Sequence, residues 1–100
     1  MAGRMAVPAR KPKPVHPEDY ELAAQIAKAT RFSACLHLGP GNRTTRYVEK
    51  GGAEGYAEAL VIAAELNTTS RFGRRSIVYA INTLGSFSVT PELAKLAGLI

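Results

Sequence analysis

Hydrophobic and polar positions along this chain change period several times, and each change marks an element. The longest helical stretch runs from Ala53 to Asn67. Tyr56, Ala59, Leu60, Ala63 and Leu66 recur there at three- and four-residue spacing and predict its buried face, with Glu54, Glu58 and Glu65 opposite. Asn67-Thr68-Thr69-Ser70 and then Gly73 end it, because these residues favour caps and turns over helix interiors. An earlier helix opens at Pro17, with Glu18, Asp19 and Glu21 at the positive end of its dipole and Lys28 and Arg31 at the negative end. Its apolar face is modest: Tyr20, Ala23, Ala24, Ile26 and Ala27.

Between these helices the period falls to two. Phe32, Ala34, Leu36 and Leu38 point one way, and Ser33, Cys35 and His37 the other. Gly39-Pro40-Gly41-Asn42 signals a turn, and Arg43–Lys50 returns as the second strand of a hairpin. A loop of those four residues sets Leu38 opposite Arg43, Leu36 opposite Thr45 and Ala34 opposite Tyr47. A slip of one residue sends Tyr47 to the other face and brings Val48 in.

After the long helix, Arg74–Asn82 is rich in β-branched and aromatic residues and apolar on both sides, the pattern of a central strand. Ile77, Tyr79 and Ile81 form its more apolar side. Arg75 shares that side, so its stem is expected against apolar surface, while Arg74 stands on the open face. Asn82–Ser86 reads as a turn, and Phe87–Val89 as a short edge strand. Thr90 caps a last helix that has Pro91 at its first position, Leu93, Leu96 and Ala97 on its apolar side, and Gly98 at its end.

These elements imply the α+β class: a small two-layer α/β sandwich in the order α-β-β-α-β-(β)-α, with a mainly antiparallel sheet and helices on one face. The 100 residues suit one domain, over 16–100. Residues 1–15 form a separate tail, with Arg4, Arg10, Lys11 and Lys13, three prolines and no acid, a composition expected to be disordered or extended. Either Met1 or Met5 serves equally as a start. No stretch approaches a membrane span, and no hydrophobic leader is apparent, so the expected location is cytoplasmic. The single cysteine, Cys35, fits a reducing compartment.

Charge changes the picture more than composition does. The chain carries 13 Lys and Arg against 8 Asp and Glu, a net +5, and the two signs are segregated. Seven of the eight acids fall on predicted helices, and most basic residues on the hairpin, strand entries, turns and the tail. That distribution favours anionic partners. The candidate contacts with nucleic acid are Arg10, Lys11 and Lys13 in the tail and Arg43, Arg46, Arg74 and Arg75 on the body, since arginine suits bidentate phosphate contact. Tyr47 adds stacking if it shares their face. The competing account of the body arginines is that they are solvated edge residues that discourage strand pairing.

Other motifs are weaker. Gly51-Gly52-Ala53-Glu54-Gly55 occupies the place of a phosphate loop but lacks its spacing, and Glu54 would repel phosphate, so tight-turn glycines are the better account. Cys35 and His37 project to one side of a strand, half of a metal site or of a nucleophile–base pair, but neither a second ligand pair nor an orienting third group follows. No metal, other cofactor or catalytic residue is expected.

The block from Phe32 to Asn67 resembles in shape the arm-binding module of some site-specific integrases, in which a small sheet reads DNA. In that family the strands precede the helix, whereas here the strongest strand, Arg75–Asn82, follows it. The double-stranded-RNA-binding order is likewise interrupted by the central helix, and no family is assigned. The expected function is a small non-enzymatic module that binds nucleic acid through backbone electrostatics. The alternative is a protein-interaction or homodimeric adaptor, in which the acidic helix of one copy pairs with the basic strands of another.

Overall fold

The computed structural model describes residues 16–70 and 73–100. The expectation of a disordered tail, and its candidate contacts Arg10, Lys11 and Lys13, lie outside these residues.

Seven elements follow in the order α1 (Pro17–Ala27), β1 (Arg31–Gly39), β2 (Asn42–Val48), α2 (Gly52–Asn67), β3 (Ile77–Asn82), β4 (Gly85–Val89) and α3 (Pro91–Leu96). The four strands form one antiparallel sheet in the order β2-β1-β3-β4. β2 and β3 therefore run parallel with β1 between them, and α2 is the crossover that joins them. The fourth strand, bracketed in the expected order, is fully formed and runs from Gly85 to Val89.

Helix starts follow local chemistry. At α1 the amide of His16 donates to Asp19 Oδ2 at 3.3 Å, and the Asp19 amide donates to the His16 carbonyl at 2.9 Å. At α3 the Thr90 hydroxyl accepts from the Leu93 amide at 3.2 Å, as its position before Pro91 implies. Arg31 does not close α1 as expected. The helix stops at Ala27, and Arg31 is the first residue of β1.

The hairpin adopts the slipped register. Phe32 pairs with Val48, Ser33 with Tyr47, Cys35 with Thr45 and His37 with Arg43, while Gly39 pairs with Asn42. Leu38 is the extra residue of a bulge, and the loop is only Pro40-Gly41, with Gly41 at φ 71°. Proline followed by a residue at positive φ is the requirement of a type II turn, so the shortest loop these residues allow sets the register. Tyr47 thereby leaves the core side, and Val48 enters it.

The core lies between one sheet face and the helices. It holds Phe32, Ala34 and Leu36 of β1, Val48, Val78, Ala80 and Val89 of the other strands, Tyr56, Ala59, Ala63 and Leu66 of α2, and Ile26, Ala94 and Leu99 of the outer segments. Small residues occupy its centre and bring α2 close to β1. A Cβ at Gly55 would overlap the Lys50 carbonyl and stand 3.0 Å from the Phe32 ring, and a Cβ at Gly51 would overlap the Ala29 carbonyl. The glycines before and within α2 thus serve close backbone approach.

This spacing corrects three expectations. Leu60 is 43% exposed, whereas its neighbour Ala59 is fully buried. On α1 only Ala23 and Ile26 are buried, and Tyr20 stands in solvent. On β3 the inward side is Val78 and Ala80, paired with Ala34 and Phe32, so Ile77, Tyr79 and Ile81 face away from the helices. Arg75 consequently has no apolar core surface to lie on and is exposed, like Arg74.

Two expectations follow for equilibrium urea unfolding. Leu66→Ala removes a buried side chain and should cost about 2–5 kcal/mol, against less than about 1 kcal/mol for Leu60→Ala. Gly55→Ala should cost about 1–3 kcal/mol, despite alanine's better helix propensity, because the added methyl meets backbone. Equal costs for Leu60→Ala and Leu66→Ala would contradict the assigned helix faces.

Candidate nucleic-acid interface

The sheet has a second face that no described helix covers. Strand register sets its rows. Tyr47, Ser33, Tyr79 and Ser88 lie side by side across all four strands. Thr45, Cys35 and Ile77 form a parallel row, Arg31, Ile81 and Ser86 another, and Arg43 with His37 the end of the face. An open groove of about 290 Å³ runs over this surface, lined by Ser33, Cys35, His37, Arg43, Thr45, Tyr47, Tyr79, Ile81 and Ser86.

The groove is built from size differences on adjacent strands. Ser33 and Cys35 are short and form a buried floor. Tyr47 and Tyr79 stand on either side of Ser33, two strand spacings or roughly 10 Å apart. Tyr47 is 55% exposed, and the Arg31 guanidinium lies 4.5 Å from its ring centroid. Arg31 also pairs with Glu49 at 3.0 Å, so the Tyr47 ring is held under a cation that is itself anchored. Arg31 was missed from the sequence because it was assigned to the end of the preceding helix. Its place opposite Ile81, one row from Tyr47, becomes visible only with the register.

Charge is segregated more sharply here than along the chain. None of the four strands contains an acid. Seven of the eight acids lie on α1, α2 and α3, and the eighth is Glu49, at the β2 exit. The predicted arginines do not act as one group. Arg43 is on the open face. Arg46 points to the helix side of β2 and donates to Glu65 of α2 at 3.1 Å. Arg74 and Arg75 precede β3. The Arg74 guanidinium donates to the His37 carbonyl at 3.4 Å, which brings it to the Arg43–His37 end of the groove. Among the described residues, Arg43, Arg74 and Arg75 have no carboxylate partner within salt-bridge distance.

On the helix side, Lys50 donates to Glu54 at 2.8 Å and to Glu58 at 2.6 Å. These contacts raise the Lys50 pKa, through its hydrogen bonds first and Coulomb attraction second, and the hydrogen bond from Lys50 lowers that of Glu54. The acidic line of α2 is thus engaged by cations of its own chain.

Cys35 Sγ and His37 Nε2 are 3.8 Å apart. Among the described residues no third side chain orients the ring, and no group of three metal-ligating residues occurs. No described helix is long and apolar enough to cross a membrane.

The Lys50 contacts predict a site-specific titration. A lowered folded pKa means that the Glu54–Lys50 contact stabilises the fold above the carboxylate's unfolded value and that this stabilisation is lost as pH falls through the folded one. Carboxylate chemical shifts followed by NMR should give Glu54 a midpoint below the ordinary 4.5. Lys50→Ala should restore that midpoint, and one unchanged by the substitution would show that Lys50 is not the cause.

No family model, no curated protein and no solved structure matches this chain.

Proposed function

We propose that this chain is a small non-enzymatic module that binds single-stranded nucleic acid on the open face of its sheet. The observation that carries the proposal is an acid-free sheet whose uncovered face holds two tyrosines, with Arg31 against Tyr47 and, at one end of the groove, Arg43 and Arg74, which have no carboxylate partner among the described residues. Unpaired bases stack on Tyr47 and Tyr79, which every base tolerates because each has a π face. Arg43 and Arg74, at one end of the groove, contact the phosphates, and Arg75 and the basic residues 10, 11 and 13 of the tail extend the positive field. Ser33, Thr45 and Ser86 supply hydroxyls to base edges or sugars. A duplex keeps its bases stacked and offers nothing to the tyrosines, which favours a single strand.

The arginine roles separate by face. Arg46 is engaged with Glu65 behind the sheet and is not a phosphate contact. Arg31 orients Tyr47 and adds charge at its rim.

Fluorescence anisotropy with labelled oligothymidylate, over a series of salt concentrations, tests this. Tyr47→Ala should weaken binding by about 1–3 kcal/mol at every salt concentration. Arg43→Ala should reduce the slope of log K against log salt by about 0.7, the change for one phosphate contact on a single strand. Arg46→Ala should leave the slope unchanged. Absence of binding at low salt, or binding indifferent to both Tyr47→Ala and Arg43→Ala, would remove the proposal.

A further inference from the structure

The outer face of α2 is apolar where a surface helix is normally charged. Ala53, Ala57, Val61 and Ala64 follow one another at three- and four-residue steps with Leu60 beside them, on the side away from the buried line Gly55, Ala59, Ala63 and Leu66. Leu60 is 43% and Val61 59% exposed, with Glu58 and Glu65 one turn from Val61 on its flank. The acids of α2 are confined to one flank, Glu54, Glu58 and Glu65, where Lys50 and Arg46 of the β2 side engage them. A helix that is apolar on two opposite faces belongs in an interior, not on a surface.

We infer that a second copy of this chain covers this face, with the two α2 helices packed antiparallel about a two-fold axis. The stripe is complementary to itself. Its sizes read small, large, large, small at Ala57, Leu60, Val61 and Ala64, symmetric about the point between 60 and 61. Reversal about that point sets Ala57 against the partner's Ala64 and Leu60 against the partner's Val61, so each large side chain meets a large one at the centre and alanines close the ends. An isologous interface requires such self-complementarity.

Charge is consistent with the same occupant. Two like helices bring their acidic flanks near each other, and Lys50 and Arg46 offset two of the three negative charges on each flank, which reduces the repulsion. The Leu60 and Val61 side chains meeting at the centre set the separation, which for packed helices is about 8–10 Å. A helix of 16 residues spans about 24 Å, so the contact is at the small end for interfaces. The helices and the open sheet face are on opposite sides of the molecule, so the dimer directs two tyrosine grooves away from the axis. The inference does not depend on what those grooves bind.

The test is sedimentation equilibrium of the full chain over a concentration series. The mass should rise from 10.7 kDa toward twice that value. Leu60→Glu with Val61→Glu should hold it at the monomer value while circular dichroism and the thermal midpoint remain near those of the parent, since both positions are exposed. Orientation is read by disulfide trapping in a Cys35→Ala background. A mixture of Ala57→Cys and Ala64→Cys chains should cross-link far faster than either chain alone, because reversal about the axis brings only the unlike positions together. A monomer at all concentrations, which would assign the stripe to a different protein, overturns the inference. A dimer indifferent to the double glutamate substitution, or equal cross-linking in like and unlike mixtures, overturns it as well.

Discussion

The fold depends on how closely α2 approaches β1. Phe32 is fully buried, with its ring centroid 6.0 Å from that of Tyr56, and Gly55 lies so near the Lys50 carbonyl that no side chain fits between them. The layer interface combines buried large side chains, Phe32, Leu36 and Tyr56, with alanines and Gly55 that let the backbones approach. Ala34, Ala59 and Ala80 are fully buried, and Ala63 nearly so. Dense packing of small groups removes less apolar area per residue than leucine would, but it brings the backbones together and fixes the sheet register.

Other large side chains lie on the two outer surfaces: Leu60 and Val61 behind α2, and Tyr47, Ile77 and Tyr79 on the open sheet. The second set lies on strands without acids and close to Arg31, Arg43 and Arg74, whereas the first borders the acidic flank of α2. The two surfaces thus differ in chemistry, one suited to an anionic, aromatic-stacking ligand and one to another apolar helix.

Much of the architecture was legible in the residues. Pro17, Thr90-Pro91 and Gly98 locate helix ends, the alternation of Phe32 to Leu36 locates β1, and Gly39-Pro40-Gly41-Asn42 locates the turn. Facing was less legible, for a consistent reason. Periodicity assigns the bulkier side to the core, and on α2 and β3 the bulkier residues are partly or wholly outside, because close layers select small ones. The hairpin register needed the bulge at Leu38, which carries no mark of its own in the sequence. Among the candidate arginines, Arg43 and Arg74 reach the groove, Arg46 is diverted to Glu65, and Arg31 was hidden by the expected length of α1.

The central claim is that the uncovered sheet face, not the helical layer, is the binding surface. Backbone amide shifts of the full chain, recorded by NMR while oligothymidylate is added, test it most directly. Perturbation concentrated at Ser33, Cys35, His37, Arg43, Tyr47 and Tyr79, with α1, α2 and α3 unaffected, is the predicted result. Perturbation centred on the helices, or none at saturating oligonucleotide in low salt, would contradict it.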